Sequence, residues 1–280
     1  MIDLLDNLFS AKIDEEKLEQ IYSCLSTQYT NGKDPWGLDI DAAKETLLKL
    51  YPFYSEYFKV RLFGKEKVLD RPYMIISNHT GQVPIDAMLI GMAFLLEIAP
   101  PRIMRAMVDR FVTSLPFLGE WFAQTGAVLG DRQNCLKLME RGESILVFPE
   151  GLQGVAKSTN EFYKLQKFTN GFYRMALSSG FDILPVAVIG CEECFPFVYH
   201  LKSLAKTLGL PAIPISTNYF PLPSPVDIHI GDPISINKDL SPDSTDKEIN
   251  KEVLKVKSKI RSLITRGRKE QREFWAKKEI

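Results

Sequence analysis

The stretch Tyr73-Met74-Ile75-Ile76-Ser77-Asn78-His79-Thr80-Gly81-Gln82-Val83-Pro84-Ile85-Asp86 decides how this chain reads. Its opening apolar run has the character of a strand covered on both faces. Glycine suits a strained loop and proline the first turn of a helix. The stretch therefore predicts a strand, a loop carrying His79, and a helix opening near Pro84 with Asp86 in its first turn. A histidine and a carboxylate on either side of a tight turn can act as a general base and its orienting acid. The acid holds one ring nitrogen while the other takes a proton from a hydroxyl. No serine or cysteine is obviously paired with His79, and a GxSxG elbow is absent. That points away from a hydrolase with its own nucleophile and toward transfer to a hydroxyl brought by the substrate. The plainer alternatives are a loop histidine and an aspartate that merely favours its helix start.

Working outward, strand-like and helix-like segments alternate, which predicts an α/β architecture with a mostly parallel or mixed central sheet flanked by helices. Residues 11–28 read as a helix with Ile13, Leu18, Ile21 and Leu25 on one side, followed by a loop from Asn31 to Gly37. Asp39 or Asp41 can cap the next helix, which runs into Tyr54, Tyr57 and Phe58. Aromatic faces at this spacing more often pack into a core than rest on a membrane. Further strands are expected at 103–108, 127–129, 144–148, 183–189 and 226–230, and helices at 87–98, 134–141 and 171–178. The organisation expected is an N-terminal helical region (1–60), a core (61–240) and a basic C-terminal helix (241–280), all within one domain.

The 280 residues can bury a substantial core, and 45% hydrophobic content is ordinary for a globular protein. Thirty-five basic and thirty-five acidic side chains cancel, so the overall charge offers no argument for nucleic-acid binding. Three histidines and four cysteines are too few for a metal-rich or disulfide-built protein. Cys191 and Cys194 have CxxC spacing without a second pair, so no metal site is expected, and His200 and His229 read as structural. The first ten residues do not read as a secretory signal. The apolar segment Ala87–Ile98, interrupted by Glu97, is shorter than a membrane span requires.

Four motifs, in order, make the chain similar to the glycerolipid and lysophospholipid acyltransferase family over roughly residues 55–235. The first is the His79–Asp86 pair. Six residues intervene here, in the form HTGQVPID, where the family usually has four. The longer form resembles a branch that includes proteins similar to diacylglycerol acyltransferases. The second motif is matched by Gly126 and Arg132, with Leu129 and Gly130 between them, and the third by Pro149, Glu150 and Gly151. The family often continues with threonine and arginine, whereas Leu152 and Gln153 follow here. The fourth motif is matched by Pro185, near the start of a hydrophobic strand.

The resemblance implies a glycerol-3-phosphate acyltransferase-like fold. It implies transfer of a fatty acyl group from an acyl thioester, acyl-CoA or acyl carrier protein, to a glycerolipid or lysophospholipid hydroxyl. No cofactor or metal enters that chemistry. His79 and Asp86 would be catalytic, Arg132 would hold a phosphate or another anionic part of the acceptor, Glu150 would position the acceptor or the site loops, and Gly151 would lie in the substrate site. Asn78, Gly81, Pro84, Gly126, Pro149 and Pro185 would shape the site, with oxyanion donors at Thr80, Gly81 or around Gly151. The missing arginine after Glu150 leaves phosphorylated and neutral acceptors open, since a guanidinium fork is the preferred partner of a phosphate monoester. Peripheral attachment to the cytoplasmic face of a membrane is expected. The basic and aromatic segment 155–174, the Pro-rich segment 195–225 with a short amphipathic helix, and the tail ending in Phe274-Trp275 are candidate contacts. A lipid-thioester hydrolase and a noncatalytic lipid-binding protein are the competing readings.

Overall fold

The computed structural model describes residues 10–81, 83–196, 198–200, 214–216, 218 and 220–277. Two helices come first. Helix α1 (Glu15–Gln28) is capped by Asp14, which accepts from the Lys17 N–H. Helix α2 (Ile40–Pro52) is capped by Asp39, the first of the two expected candidates. Their buried faces, Ile21 and Leu25 in α1 and Ala43 and Leu47 in α2, repeat at intervals of four. A π-helical turn, Phe53–Tyr57, then carries the aromatic run. Tyr54 and Phe58 are buried in the core, and the Tyr54 hydroxyl donates to Glu97 at 2.5 Å, so these rings make core contacts.

The sheet and its crossovers follow: β1 (Arg61–Phe63), β2 (Met74–Ser77), α3 (Ile85–Leu96), β3 (Arg105–Val108), α4 (Arg110–Thr113), α5 (Leu118–Gln124), β4 (Val128–Leu129), α6 (Arg132–Glu140), β5 (Ile145–Val147), α7 (Leu152–Val155), α8 (Gly171–Ser179), β6 (Ile183–Ile189), β7 (Val198–His200), β8 (Pro214–Ser216), β9 (Asp227–Ile230) and α9 (Asp246–Ala276). Seven strands form one mixed sheet in the order β1-β9-β6-β2-β5-β3-β4. Every neighbouring pair is parallel except β6 and β9. Strands β7 and β8 form a separate antiparallel pair. The amphipathic helix expected near residues 201–213 lies outside the described residues.

Both faces of the sheet are covered, which is why its strands are apolar at successive positions. Ile75, Leu146, Leu184, Val186 and Val188 pack on one side with α1, α2 and α3. Met74, Ile76, Ile145, Ala187 and Ile189 pack on the other with α6, α8 and α9. Helix α9 is set by a full capping box, Thr245 with Glu248, and buries Ile249, Val253, Val256, Ile260, Leu263 and Ile264 along one stripe. Each such side chain contributes about 2 kcal/mol when removed from water. At the end of α9, Phe274 lies against the Arg61 guanidinium, 3.9 Å from ring centroid to carbon, so the Phe274-Trp275 end is docked on β1. Pro185 sits inside β6 rather than at its start. Its missing N–H falls where β9 has already turned away, while its carbonyl accepts from the Gly231 N–H at 2.8 Å.

Parallel β6, β2, β5, β3 and β4 deliver their carboxyl ends to one edge. In open α/β sheets that edge is where chemistry gathers. His79 follows β2, Glu150 follows the adjacent β5, and Arg132 follows β4 at the sheet margin.

Candidate functional site

The loop after β2 leaves the sheet through a side-chain rung. The last β2 residue, Ser77, pairs with Val186. The Asn78 amide then bonds to Val188 in both directions, its Oδ1 accepting from the Val188 N–H at 2.9 Å and its Nδ2 donating to the Val188 carbonyl at 3.0 Å. Asn78 thus supplies the polar groups a peptide would have offered to β6, and the backbone is free to turn. Gly81, at φ +79°, completes that turn.

His79 and Asp86 meet across it. The His79 Nδ1 lies 2.7 Å from Asp86 Oδ2. Asp86 is fully buried in the first turn of α3. Its Oδ2 also accepts from the Thr80 N–H at 2.7 Å, and its Oδ1 from the Ala87 N–H at 2.8 Å. A carboxylate held by its own helix start has no freedom to turn away from the ring. Because it is an acceptor, the Nδ1 of a neutral His79 carries the proton and Nε2 is the basic nitrogen. Phe148 stacks on the imidazole, with centroids 4.1 Å apart and planes 18° from parallel, leaving the ring edge part-exposed.

Glu150 ties this loop to the next. Its Oε1 accepts from the His79 N–H at 3.0 Å and its Oε2 from the Gln166 N–H at 2.5 Å, so both oxygens hold backbone. Gly151 adopts φ +54°, ψ −145°, a region open essentially to glycine alone. The following helical turn, α7, then presses against His79. A Cβ on Gly154 would stand 2.6 Å from the His79 Cβ. A buried ion pair anchors the segment that follows. Lys157 Nζ lies 2.5 Å from Glu192 Oε1, beyond the end of β6. The other Glu192 oxygen accepts from the Tyr163 N–H at 2.5 Å. Burial pushes the Glu192 carboxyl up to about 7, against the opposing pull of Lys157.

Some expected residues fall elsewhere. Arg132 opens α6, capped by Asp131, and is exposed with no ion pair among the described residues. Its strand lies three positions from β2, roughly 14 Å along the sheet. A cavity of about 360 Å³ beside that strand is lined by Trp36, Val108, Phe122, Leu129 and Asn134, and the His79–Asp86 pair does not border it. Gly126, at φ +106°, has no room for a Cβ beside Ile103. Pro149 accepts at its carbonyl from the Thr169 N–H, and Pro84 immediately precedes α3.

Two of the amides expected to face an oxyanion are otherwise engaged, the Thr80 N–H with Asp86 and the Gly151 N–H with the Phe148 carbonyl. Cys191 and Cys194 are buried free thiols, and burial pushes the Cys194 thiol up to about 12 and holds Cys191 well above its ordinary value. Neither is a ready nucleophile for His79. Among the described residues no group of three or more His, Cys, Asp or Glu side chains is placed to hold a metal ion, and no helix is long and apolar enough to cross a membrane. Lys157, expected within the basic segment 155–174 to meet an anionic lipid surface, is instead buried against Glu192, and sequence reasoning missed Gly154, Glu192 and the stacking role of Phe148. A glycine within an otherwise helical LQGV turn was the only local signal.

Residues 59–189 match the family model described as Acyltransferase. An uncharacterized protein of Mycobacterium tuberculosis is 34% identical over 63% of this chain and 49% of its own length. The human protein named DGAT1/2-independent enzyme synthesizing storage lipids is 23% identical over 69% of this chain and 60% of its own. The chain thus spans about half the length of the mycobacterial relative. The crystal structure of the 1-acyl-sn-glycerophosphate acyltransferase PlsC from Thermotoga maritima superposes with a TM-score of 0.51 at 20% identity, covering 80% of this chain and 82% of that one, and shows a shared fold. The family match covers 131 of the 280 residues, and the structural likeness shows the α/β fold alone.

Proposed function

We propose that this chain is an acyltransferase that moves a fatty acyl group from an acyl thioester, carried by coenzyme A or acyl carrier protein, to a hydroxyl of a glycerolipid or lysophospholipid. The observation that carries the reading is the His79–Asp86 contact at 2.7 Å, with Asp86 buried and fixed by backbone donors. In this scheme Nε2 of His79 takes the acceptor's hydroxyl proton as its oxygen attacks the thioester carbonyl. Asp86 favours the imidazolium that develops, and the proton passes to the departing thiolate as the tetrahedral intermediate collapses. Proton transfer of this kind contributes typically 10²–10⁴-fold, and holding the two substrates together can supply more.

Glu150 acts on the reaction by holding the His79 loop, and Gly151 by giving that loop its turn. Arg132 is assigned an anionic part of the acceptor. The names of the human relative and of a chloroplastic 1-acyl-sn-glycerol-3-phosphate acyltransferase of Arabidopsis thaliana, 23% identical over 53% of this chain and 40% of its own, support a glycerolipid acceptor. Attachment to the cytoplasmic face of a membrane belongs to the same proposal.

The test is to incubate the protein, His79→Ala and Asp86→Asn with radiolabelled palmitoyl-CoA or the acyl carrier thioester. Lysophosphatidate, other lysophospholipids, monoacylglycerol and diacylglycerol serve as acceptors. Labelled lipid made by the native chain alone supports the reading and names the acceptor. Label released only as free fatty acid, or transfer retained by a folded His79→Ala variant, would overturn it.

A further inference from the structure

We propose that the carboxyl edge of the sheet is the face this protein lays on a lipid bilayer, with the α4–α5 hairpin as the element that enters it. The connection from β3 to parallel β4 must leave the carboxyl edge and return, and residues 110–118 form the part beyond the strand end. Phe117 is 91% exposed there, with Phe111 at 48% and Leu118 at 50%. Phe117 also has φ +61°, ψ −43°, a conformation costly for a bulky side chain. A strained backbone that turns an aromatic ring into water lowers stability on both counts, unless something outside the chain receives the ring.

Two more exposed apolar residues lie on loops from the same edge: Val83, beyond β2, and Leu152, beyond β5. With the hairpin beyond β3 they span three adjacent strands and flank His79. The named charges on these loops are equal in number, so what distinguishes them is which side chains are free to extend outward. Arg110, Arg132, Lys164 and Lys167 are exposed with no ion pair among the described residues. The carboxylates of the same loops are each held by a donor of the chain: Asp109 by the Phe111 N–H, Asp131 by Asn134, Glu161 by the Ser158 N–H and Glu193 by Tyr163. The cations are therefore the groups free to reach lipid phosphates.

This placement rests on the acyltransferase reading only for why a lipid should approach His79. Other exposed apolar side chains, Phe220 and Leu254, serve as controls. Flotation with vesicles of phosphatidylcholine and phosphatidylglycerol in equal parts measures binding without any turnover. Phe117→Asn, which tolerates positive φ and relieves the strain there, combined with Phe111→Ser, which gives up a half-buried ring, should weaken partitioning about tenfold or more, given what burial of one aromatic ring is worth, with a melting temperature within a few degrees of native. Phe220→Ser and Leu254→Ser should bind as the native chain does. As an independent check, Phe117→Trp should shift its emission to the blue on vesicles and be quenched by brominated acyl chains.

Equal partitioning of the hairpin variant, or loss confined to Phe220→Ser, would overturn the proposal. So would a hairpin variant that loses acyl carrier protein binding but not vesicles, since the face would then receive a protein. Vesicle binding through Phe117 without acyl transfer would retain this surface and remove the enzymatic reading. Transfer with indifferent Phe117 would do the reverse.

Discussion

Gly154→Ala tests whether His79 is held in place by the loop after β5. The added methyl carbon would stand 2.6 Å from the His79 Cβ, 3.0 Å from the Glu150 Cβ and 3.4 Å from the His79 carbonyl oxygen. Non-bonded carbons settle at about 3.5–4.0 Å, so roughly 1 Å must open between α7 and His79. The ring is stacked on Phe148 and bonded to Asp86, and the His79 N–H is bonded to Glu150, so movement of either loop disturbs a contact that sets the imidazole. A misplacement near 1 Å costs on the order of 10²-fold in rate, about 2.7 kcal/mol in the barrier. Overpacking alone destabilises a fold by roughly 1–3 kcal/mol, partly offset by alanine's better helix propensity.

The assay is acceptor-dependent thioester consumption at saturating donor, beside a thermal melt. The expected result is kcat down about 100-fold with KM for the donor near native and a melting temperature lowered by a few degrees. Gly171→Ala is the control, since a methyl there meets nothing within 4 Å and should leave rate and melt unchanged. A folded Gly154→Ala enzyme with kcat indistinguishable from native would refute the idea that this contact positions the base.

Arg61→Ala should lower stability by about 3 kcal/mol, roughly 8 °C in the melting temperature. It removes the bidentate partner, at 2.7 and 2.6 Å, of the buried Asp227, and a melt within a degree of native would contradict this. Acid should destabilise the protein through His229, whose buried ring, stacked on Phe63, titrates at about 4 because burial disfavours its charged form. Between pH 6.5 and 4 the unfolded chain takes up a proton that the folded ring refuses, so stability contributed by neutral His229 falls as pH is lowered across that window. Glu192, raised to about 7, works in the opposite direction, so the measurement is the difference in melting temperature between native and His229→Gln from pH 7 to pH 4. A constant difference would contradict the assignment.

What the sequence disclosed depended on how local each feature is. The buried run at Ile183–Ile189 and the His79–Asp86 turn declare themselves within a few consecutive residues, and the structure places them as expected. Strand β1 escaped notice because three residues, Arg61–Phe63, carry no periodicity. It exists as a strand because β9, far along the chain, pairs with it. The same holds for the supports of the site. The bonds from His79 to Glu150 and from Lys157 to Glu192 join loops distant in sequence, and neither residue type nor spacing forecasts them. Phe117 and Arg132 illustrate the complementary difficulty, since their side chains take meaning from the edge on which they project. The Phe274-Trp275 end, whose pattern in the sequence made it a membrane candidate, packs on Arg61 with Phe274 still 37% exposed.

The change of direction between β6 and β9 divides the sheet in two. Strand β1 follows the direction of β9, so the carboxyl ends of both open at the end of the sheet away from His79. There the turns are knit to each other: Lys67 pairs with Asp232 at 3.1 Å, and Gly64 lies so close to Ile230 that a Cβ would stand 2.3 Å from its carbonyl oxygen. Five strands open toward His79 and two, β9 and β1, open away from it, with α9 packed on β6 and β9 across the boundary. A substitution in the turns at 64–67 or 231–232 therefore reaches the His79 loop only through the length of the sheet, and the two ends can be altered separately.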